Sequence, residues 1–308
     1  MVLTPGKIRG MDQLASDTGT ICMVAVDHRS SMERLFVEVT GSAPPDEIKA
    51  LKRSVCVTLA SRVSAILLDA DTAREAIRDN LIPRCTGLVC PLEADRPEDS
   101  DGLRLTIFDR GFGPRDAKCL GAVAVKLYLH YRPDVPRSAH HHKELLAQAV
   151  ERCSDIDISL IVEPVPFRLA DESEETFRER FPELVVETVR DLAPIGPDVL
   201  KIPYPGGRRP EEACNEIDQI STPIPWVLLG GAMSMDALHE AVQVAMSSHA
   251  SGCIAGRSIW AAAVGVERSM RDRFLRDDAS LKLERLNQVV ESHGTPWRTR
   301  RFGAKTAV

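Results

Sequence analysis

Eight short apolar runs, each followed by a stretch with helical periodicity, leave this chain few folds to choose from. The runs cover residues 21–27, 65–69, 87–93, 122–129, 159–165, 198–204, 225–231 and 252–256. They are rich in Val, Ile, Leu and Ala, and continuously rather than alternately apolar, as strands covered on both faces of a parallel sheet are. Between the first two, residues 45–63 place Ile48, Leu51, Val55, Leu59 and Val63 at three- and four-residue spacing, one stripe of an amphipathic helix. Residues 236–246 repeat the pattern with Leu238, Ala241, Val242 and Ala245. Strand–helix alternation eight times over predicts an α/β fold, a (β/α)8 TIM barrel. An open doubly wound sheet competes, but no Gly-x-Gly-x-x-Gly turn follows any strand, which weakens a dinucleotide-binding version.

A chain of 308 residues can form one such barrel. With no convincing domain boundary, a single domain over 1–308 is expected, its barrel core about 19–270 and its C-terminal helix and basic tail at 278–308. Residues 91–115 and 132–142 read as long loops and 281–290 as the helix; the basic tail 298–305 reads as a solvated or subunit-contacting extension. Consecutive helical side chains point in different directions, so His140-His141-His142 reads as solvated surface rather than a metal site.

Composition narrows the partners. A net charge of −6 and a pI near 5.8 argue against nucleic acid or an anionic membrane. No apolar run approaches the roughly 18–20 residues needed to span a bilayer. The N-terminal segment lacks the apolar core of a signal peptide. The eight cysteines are scattered with no Cys-x-x-Cys pair, so a reduced, cytoplasmic protein without disulfides is expected.

Within the sixth run, Asp198-Val-Leu-Lys-Ile-Pro-Tyr204, Lys201 is a cation in an apolar strand. Burial lowers the pKa of an ammonium, by up to roughly 3–5 units when complete. A lysine in that state can attack a carbonyl, which suggests Schiff-base chemistry; a snorkelling side chain is the plainer explanation. Its companions favour chemistry. Barrel active sites lie at the C-terminal ends of the strands, and those ends read Asp27, Asp69, Glu93, Lys126, Glu163 and Lys201. By period-two parity Ala122, Ala124 and Lys126 share one face and Val123, Val125 and Leu127 the other. The same parity turns Asp27, Glu163 and Lys201 into the lumen. The seventh and eighth runs end instead in Leu229-Gly-Gly-Ala-Met233 and Ile254-Ala-Gly-Arg-Ser258. Glycine turns leading into helices suit an anion, and this pair of turns is the usual phosphate site of a barrel, with Arg257 a charge partner.

Val24-Ala-Val-Asp-His-Arg29, Leu67-Leu-Asp69, Val125-Lys-Leu127, Ile161-Val-Glu-Pro164, Asp198-Val-Leu-Lys-Ile-Pro203, Pro225-Trp-Val-Leu-Leu229 and Ala255-Gly-Arg-Ser-Ile-Trp260 together resemble the class I tagatose-1,6-bisphosphate aldolases. They resemble the sulfofructosephosphate aldolases of sulfoquinovose breakdown more closely still. The resemblance runs from about Gly19 to the C-terminal helix. It implies a lyase that reversibly cleaves a phosphorylated ketose to dihydroxyacetone phosphate and an aldehyde, without cofactor or metal. The substrate would be sulfofructose-1-phosphate or a tagatose or fructose 1,6-bisphosphate. It makes Lys201 the Schiff-base lysine, Lys126 the second lysine, Glu163 the proton-transfer residue and Asp27 an assistant in dehydration. The phosphate turns fall on Gly230, Gly231, Gly256 and Arg257, with Arg29, His28 and Asp69 as further substrate-binding candidates. His28 stands where the family usually has Gln, and Gly230 where it usually has Ser. A homo-oligomer, dimer or tetramer, is expected.

Two other readings compete. Asp27, Asp69, Glu93, Glu163 and His28 could assemble a Mg²⁺ or Zn²⁺ site for a metal-dependent lyase or mutase, although two lysines would bring positive charge close to the metal. The barrel could alternatively bind a sugar phosphate as a regulatory protein.

Overall fold

The computed structural model describes residues 3–303. Its eight apolar runs pair into one closed parallel barrel: β1 (Ile21–Ala25), β2 (Ala65–Leu67), β3 (Gly87–Pro91), β4 (Ala124–Tyr131), β5 (Ser159–Pro166), β6 (Val199–Pro203), β7 (Trp226–Leu229) and β8 (Gly252–Ala255). Each strand pairs with its neighbours in sequence, and β8 closes the barrel on β1 through Ile21 opposite Gly252 and Val24 opposite Ala255. Alternation sorts the side chains into two cores. Met23, Ala25, Leu67, Val89, Ala124, Ile161, Val199, Val227 and Ile254 fill the lumen, while Val24, Ile66, Cys90, Val125, Leu160, Leu200 and Leu228 face the helix layer. Burying one such aliphatic side chain contributes roughly 1.5–3 kcal/mol.

Parity fails at the entry to β4. Ala122 belongs to the outer layer and Val123 packs against the lumen cluster, the reverse of the expected faces. The strand begins only at Ala124, and its alternation holds from there. The amphipathic helices form as read, Pro45–Leu59 after β1 and Met235–Ser247 after β7. The C-terminal helix spans Ser280–His293.

Three segments depart from expectation. Within 91–115, Glu98–Ser100 and Leu103–Leu105 form an antiparallel hairpin. Asp101 and Gly102 both have positive φ (57° and 76°), as a two-residue primed turn requires, and Asp-Gly is its usual sequence. The segment 132–142 is mostly helix, since Pro136–Asp155 begins at a proline whose fixed φ suits a first turn. Its histidines are not all solvated: His140 is exposed, but His142 is fully buried. The basic tail does not simply trail into solvent. Trp297–Phe302 is helical, Trp297 packs against the lumen cluster beside Met11 and Leu14 of the helix Pro5–Leu14, and Arg298 pairs with Asp12 at 2.6 Å. Residues 304–305 of that tail lie outside the described residues.

All eight cysteines are free thiols, six of them buried. Among the described residues no helix is long and apolar enough to cross a membrane.

Candidate active site

At the C-terminal ends of the strands a cavity of about 550 Å³ opens above the lumen core. Lys201, on β6, is 2 % exposed, and its Nζ donates to Oε2 of Glu163 on β5 at 2.9 Å. Lys126, on β4, is held by three carboxylates. Its Nζ lies 2.9 Å from Oδ2 of Asp27 and 3.6 Å from Oε2 of Glu163, and it donates to Oε1 of Glu93. The second oxygen of Glu93 accepts from the backbone N–H of Tyr128 at 3.0 Å. Thus Asp27, Lys126, Glu163 and Lys201, from four different strands or their ends, meet in one buried cluster.

The charges support one another. Burial disfavours charge on Lys126, but Asp27, Glu93 and Glu163 outweigh it and hold the ammonium well above its ordinary pKa. Burial likewise opposes ionisation of Asp27, yet Lys126 above all, with His28 and Lys201, keeps it well below the usual carboxylate range. The Tyr128 phenol is pushed up by burial and by Glu163. Three carboxylates that could surround a divalent ion therefore converge on the protein's own ammonium. Among the described residues no group of three or more His, Cys, Asp or Glu side chains is arranged to hold a metal.

Gly231, Gly256 and Arg257 line the cavity beside His28. The Nε of Arg257 has no hydrogen-bond partner among the described residues. His28 packs edge-on against Trp260, with ring centroids 5.2 Å apart. Its Nδ1 is 3.8 Å from Asp27 and has no hydrogen-bond partner among the described residues. Burial, reinforced by Arg257 and the two lysines and opposed by Asp27, brings its pKa down to about 4, so the ring is neutral near pH 7.

Gly230 and Asp69 are placed differently from expectation, and Arg29 is at the cavity but already engaged. Gly230 is not among the lining residues. A Cβ there would stand 2.9 Å from Cα of Ala255, so β7 and β8 can converge only on glycine. Asp69 does not reach the cavity either: β2 ends at Leu67, the chain turns, and the carboxylate accepts from the N–H (3.1 Å) and hydroxyl (2.7 Å) of Thr72 as the cap of the helix Ala70–Arg78. Asp69 also pairs with Lys52 at 2.5 Å. Arg29 lines the cavity, but its Nη2 donates to the carbonyl of Glu93 at 2.8 Å, and Asp95 and Asp109 each lie 3.6 Å from its guanidinium.

Among the lining residues without a role in the sequence reading are Arg104, Thr106, Tyr128 and His130. β4 and β5 run eight residues each, longer than the other strands, and β4 carries Tyr128 and His130 above Lys126 on the same parity. Arg104 and Thr106 come with the hairpin. The Asp-Gly pair and the alternation Lys126, Tyr128, His130 were the signals available for them.

Fold and site together define a (β/α)8 lyase, with a lysine and its carboxylate buried at the strand ends. The chain belongs to the DeoC/LacD family of aldolases, whose model matches residues 21–262. It is 23 % identical over 324 residues to a tagatose 1,6-diphosphate aldolase of Listeria innocua, covering 97 % of this chain and 95 % of that one. It is 25 % identical over 329 residues to tagatose 1,6-diphosphate aldolase 2 of Streptococcus agalactiae, covering 97 % and 100 %. Among solved structures, an archaeal fructose-1,6-bisphosphate aldolase, with its catalytic lysine covalently bound as the carbinolamine intermediate, matches with a TM-score of 0.63 at 19 % identity. That match covers 92 % of this chain and 99 % of the other. A Plasmodium falciparum fructose-bisphosphate aldolase matches with a TM-score of 0.71 at 12 % identity, covering 96 % and 98 %. At these identities the structures speak to the fold.

Proposed function

We propose that this aldolase works through a Schiff base on Lys201, reversibly cleaving a phosphorylated ketose to dihydroxyacetone phosphate and an aldehyde. The observation that carries the reading is the 2.9 Å contact between Nζ of Lys201 and Glu163, buried at the floor of the cavity. Lys201 passes a proton to Glu163 and adds to the ketone carbon; the carbonyl oxygen takes up the proton that nitrogen releases. Glu163 then protonates the carbinolamine hydroxyl, water leaves, and an iminium remains. Restored as a carboxylate, Glu163 takes the proton of the hydroxyl beside the bond to be broken. The carbon–carbon electron pair flows into the iminium, an enamine forms and the aldehyde departs. Glu163 returns the proton to the enamine carbon, and hydrolysis frees Lys201. Each transfer by a positioned acid or base is worth roughly 10²–10⁴-fold.

In this reading Lys126 keeps its charge and binds substrate oxygens, and Asp27, at 2.9 Å from it, holds that ammonium in place and assists dehydration. Gly231, Gly256 and Arg257 take the phosphate next to the ketone. Tagatose 1,6-bisphosphate is the substrate in the names of the relatives, and fructose 1,6-bisphosphate and sulfofructose-1-phosphate share the required chemistry. Borohydride added with substrate should reduce the iminium and leave its mass on Lys201, with activity surviving EDTA. No added mass at that residue, or normal turnover by Lys201→Met, would rule the mechanism out.

A further inference from the structure

The far end of the substrate needs its own recognition, and the substrate-binding candidate Arg29 is already committed elsewhere. Arg29 is engaged by the Glu93 carbonyl, Asp95 and Asp109. The start of the helix Ser30–Thr40 is engaged as well, since the Ser30 N–H donates to Asp95 at 3.1 Å. Arg104 also lines the cavity. Among the described residues it has no carboxylate partner; its guanidinium lies 5.9 Å from the ring of Phe167. In the closed barrel, β3 and β4 lie across the lumen from β7 and β8. The hairpin between β3 and β4 thus presents Arg104 opposite the turns of Gly231 and Gly256.

The hairpin is fixed from behind by the histidine run. The buried Nε2 of His142 accepts from the Thr106 N–H at 3.1 Å, while its Nδ1 donates to the Ser138 carbonyl at 2.8 Å. Nε2 of His141 donates to the Thr106 carbonyl at 2.7 Å. Toward the cavity, the Thr106 hydroxyl accepts from the His130 N–H at 3.1 Å. Two residues after Arg104 the backbone is therefore held on both of its polar groups, which limits how far the guanidinium can wander.

The geometry points to Arg104 as the residue that binds the second anionic group, phosphate or sulfonate, of a dianionic ketose. Such a group accepts paired N–H bonds from a guanidinium. Phe167 then offers the guanidinium an apolar surface to lie against. This subsite rests on the ketose-phosphate reading above.

The test compares a ketose 1,6-bisphosphate with the matching ketose 1-phosphate, following release of dihydroxyacetone phosphate. In Arg104→Leu, kcat/KM for the bisphosphate should fall at least tenfold through KM, and Arg104→Lys should recover part of it. The 1-phosphate should change less than twofold, which also reports that the variant is folded. Repeating the comparison with a terminal sulfonate separates the two anions. An equal fall on both substrates, no fall on either, or an effect confined to Arg34→Leu, at another arginine that lines the cavity, would overturn the assignment. Wild-type enzyme that cleaves neither substrate would overturn the ketose reading, and this subsite with it.

Discussion

Glu163 accepts from Lys201 at 2.9 Å across the β5–β6 boundary, and the same oxygen, Oε2, lies 3.6 Å from Lys126. One carboxylate oxygen thus faces both buried ammonium groups, and it lies within hydrogen-bond reach to accept a proton leaving Lys201. Glu163→Gln should lower kcat by roughly 10²–10⁴-fold while KM moves little. Steady-state release of dihydroxyacetone phosphate measures it; a fall of less than tenfold would remove Glu163 from proton transfer.

Lys126→Met should destabilise the fold as well as impair activity. It strands Asp27, Glu93 and Glu163 around an apolar side chain, and breaking a buried pair this way costs about 3–5 kcal/mol. Asp27 is held well below its unfolded value of 3.8, so its contribution is complete above that pH and lost as pH falls through the folded value. The deficit of the variant should accordingly be full at pH 7 and narrow below about pH 4. Urea unfolding across that range checks both statements, and a deficit independent of pH would contradict the second.

His28 titrates near 4 in the folded chain against 6.5 unfolded. The unfolded state takes up the proton first, so this group's share of stability is present above pH 6.5 and drains away between 6.5 and 4. The share is on the order of 3 kcal/mol at most. His28→Gln should make the fall in stability between pH 7 and pH 5 shallower than in wild type. Equal slopes in the two proteins would show that His28 takes up its proton in the fold as readily as in the unfolded chain.

Gly230→Ser restores the hydroxyl usual in the family, yet here it should harm. Its Cβ would meet the Ala255 backbone at 2.9 Å, and overpacking of this kind costs about 1–3 kcal/mol. The expected result is a lower melting temperature and a raised KM. An unchanged melting temperature with a lower KM would mean that the turn accommodates serine as a phosphate donor.

His142→Leu removes the acceptor for a buried N–H. Leaving the Thr106 amide unpaired should cost about 1–3 kcal/mol. If the histidine run serves the hairpin, KM for a bisphosphate should rise more than KM for the 1-phosphate. A stability loss with equal KM effects would make His142 a packing residue only.

The lysine–carboxylate cluster was legible because it obeys two local rules. Continuous apolar runs separated by helical stripes fixed eight strands to within a few residues, and period-two parity then placed Asp27, Lys126, Glu163 and Lys201 on the lumen side. Those rules hold only while the strand lasts. Asp69 has the right parity with Ala65 and Leu67, but its strand has ended and it caps a helix instead. Val123 and Ala122 swap faces because they precede the strand.

Sequence by itself thus determined the barrel, the buried lysine and its nearest charged neighbours, because strand period and burial are local properties. Only the tertiary structure decided which charges are already satisfied. Arg29 and Arg104 look equally available in the sequence, but long-range contacts give Arg29 its carboxylates and leave Arg104 without one among the described residues. The pairing of Thr106 with His141 and His142 joins residues more than thirty positions apart, a distance over which no sequence periodicity carries information.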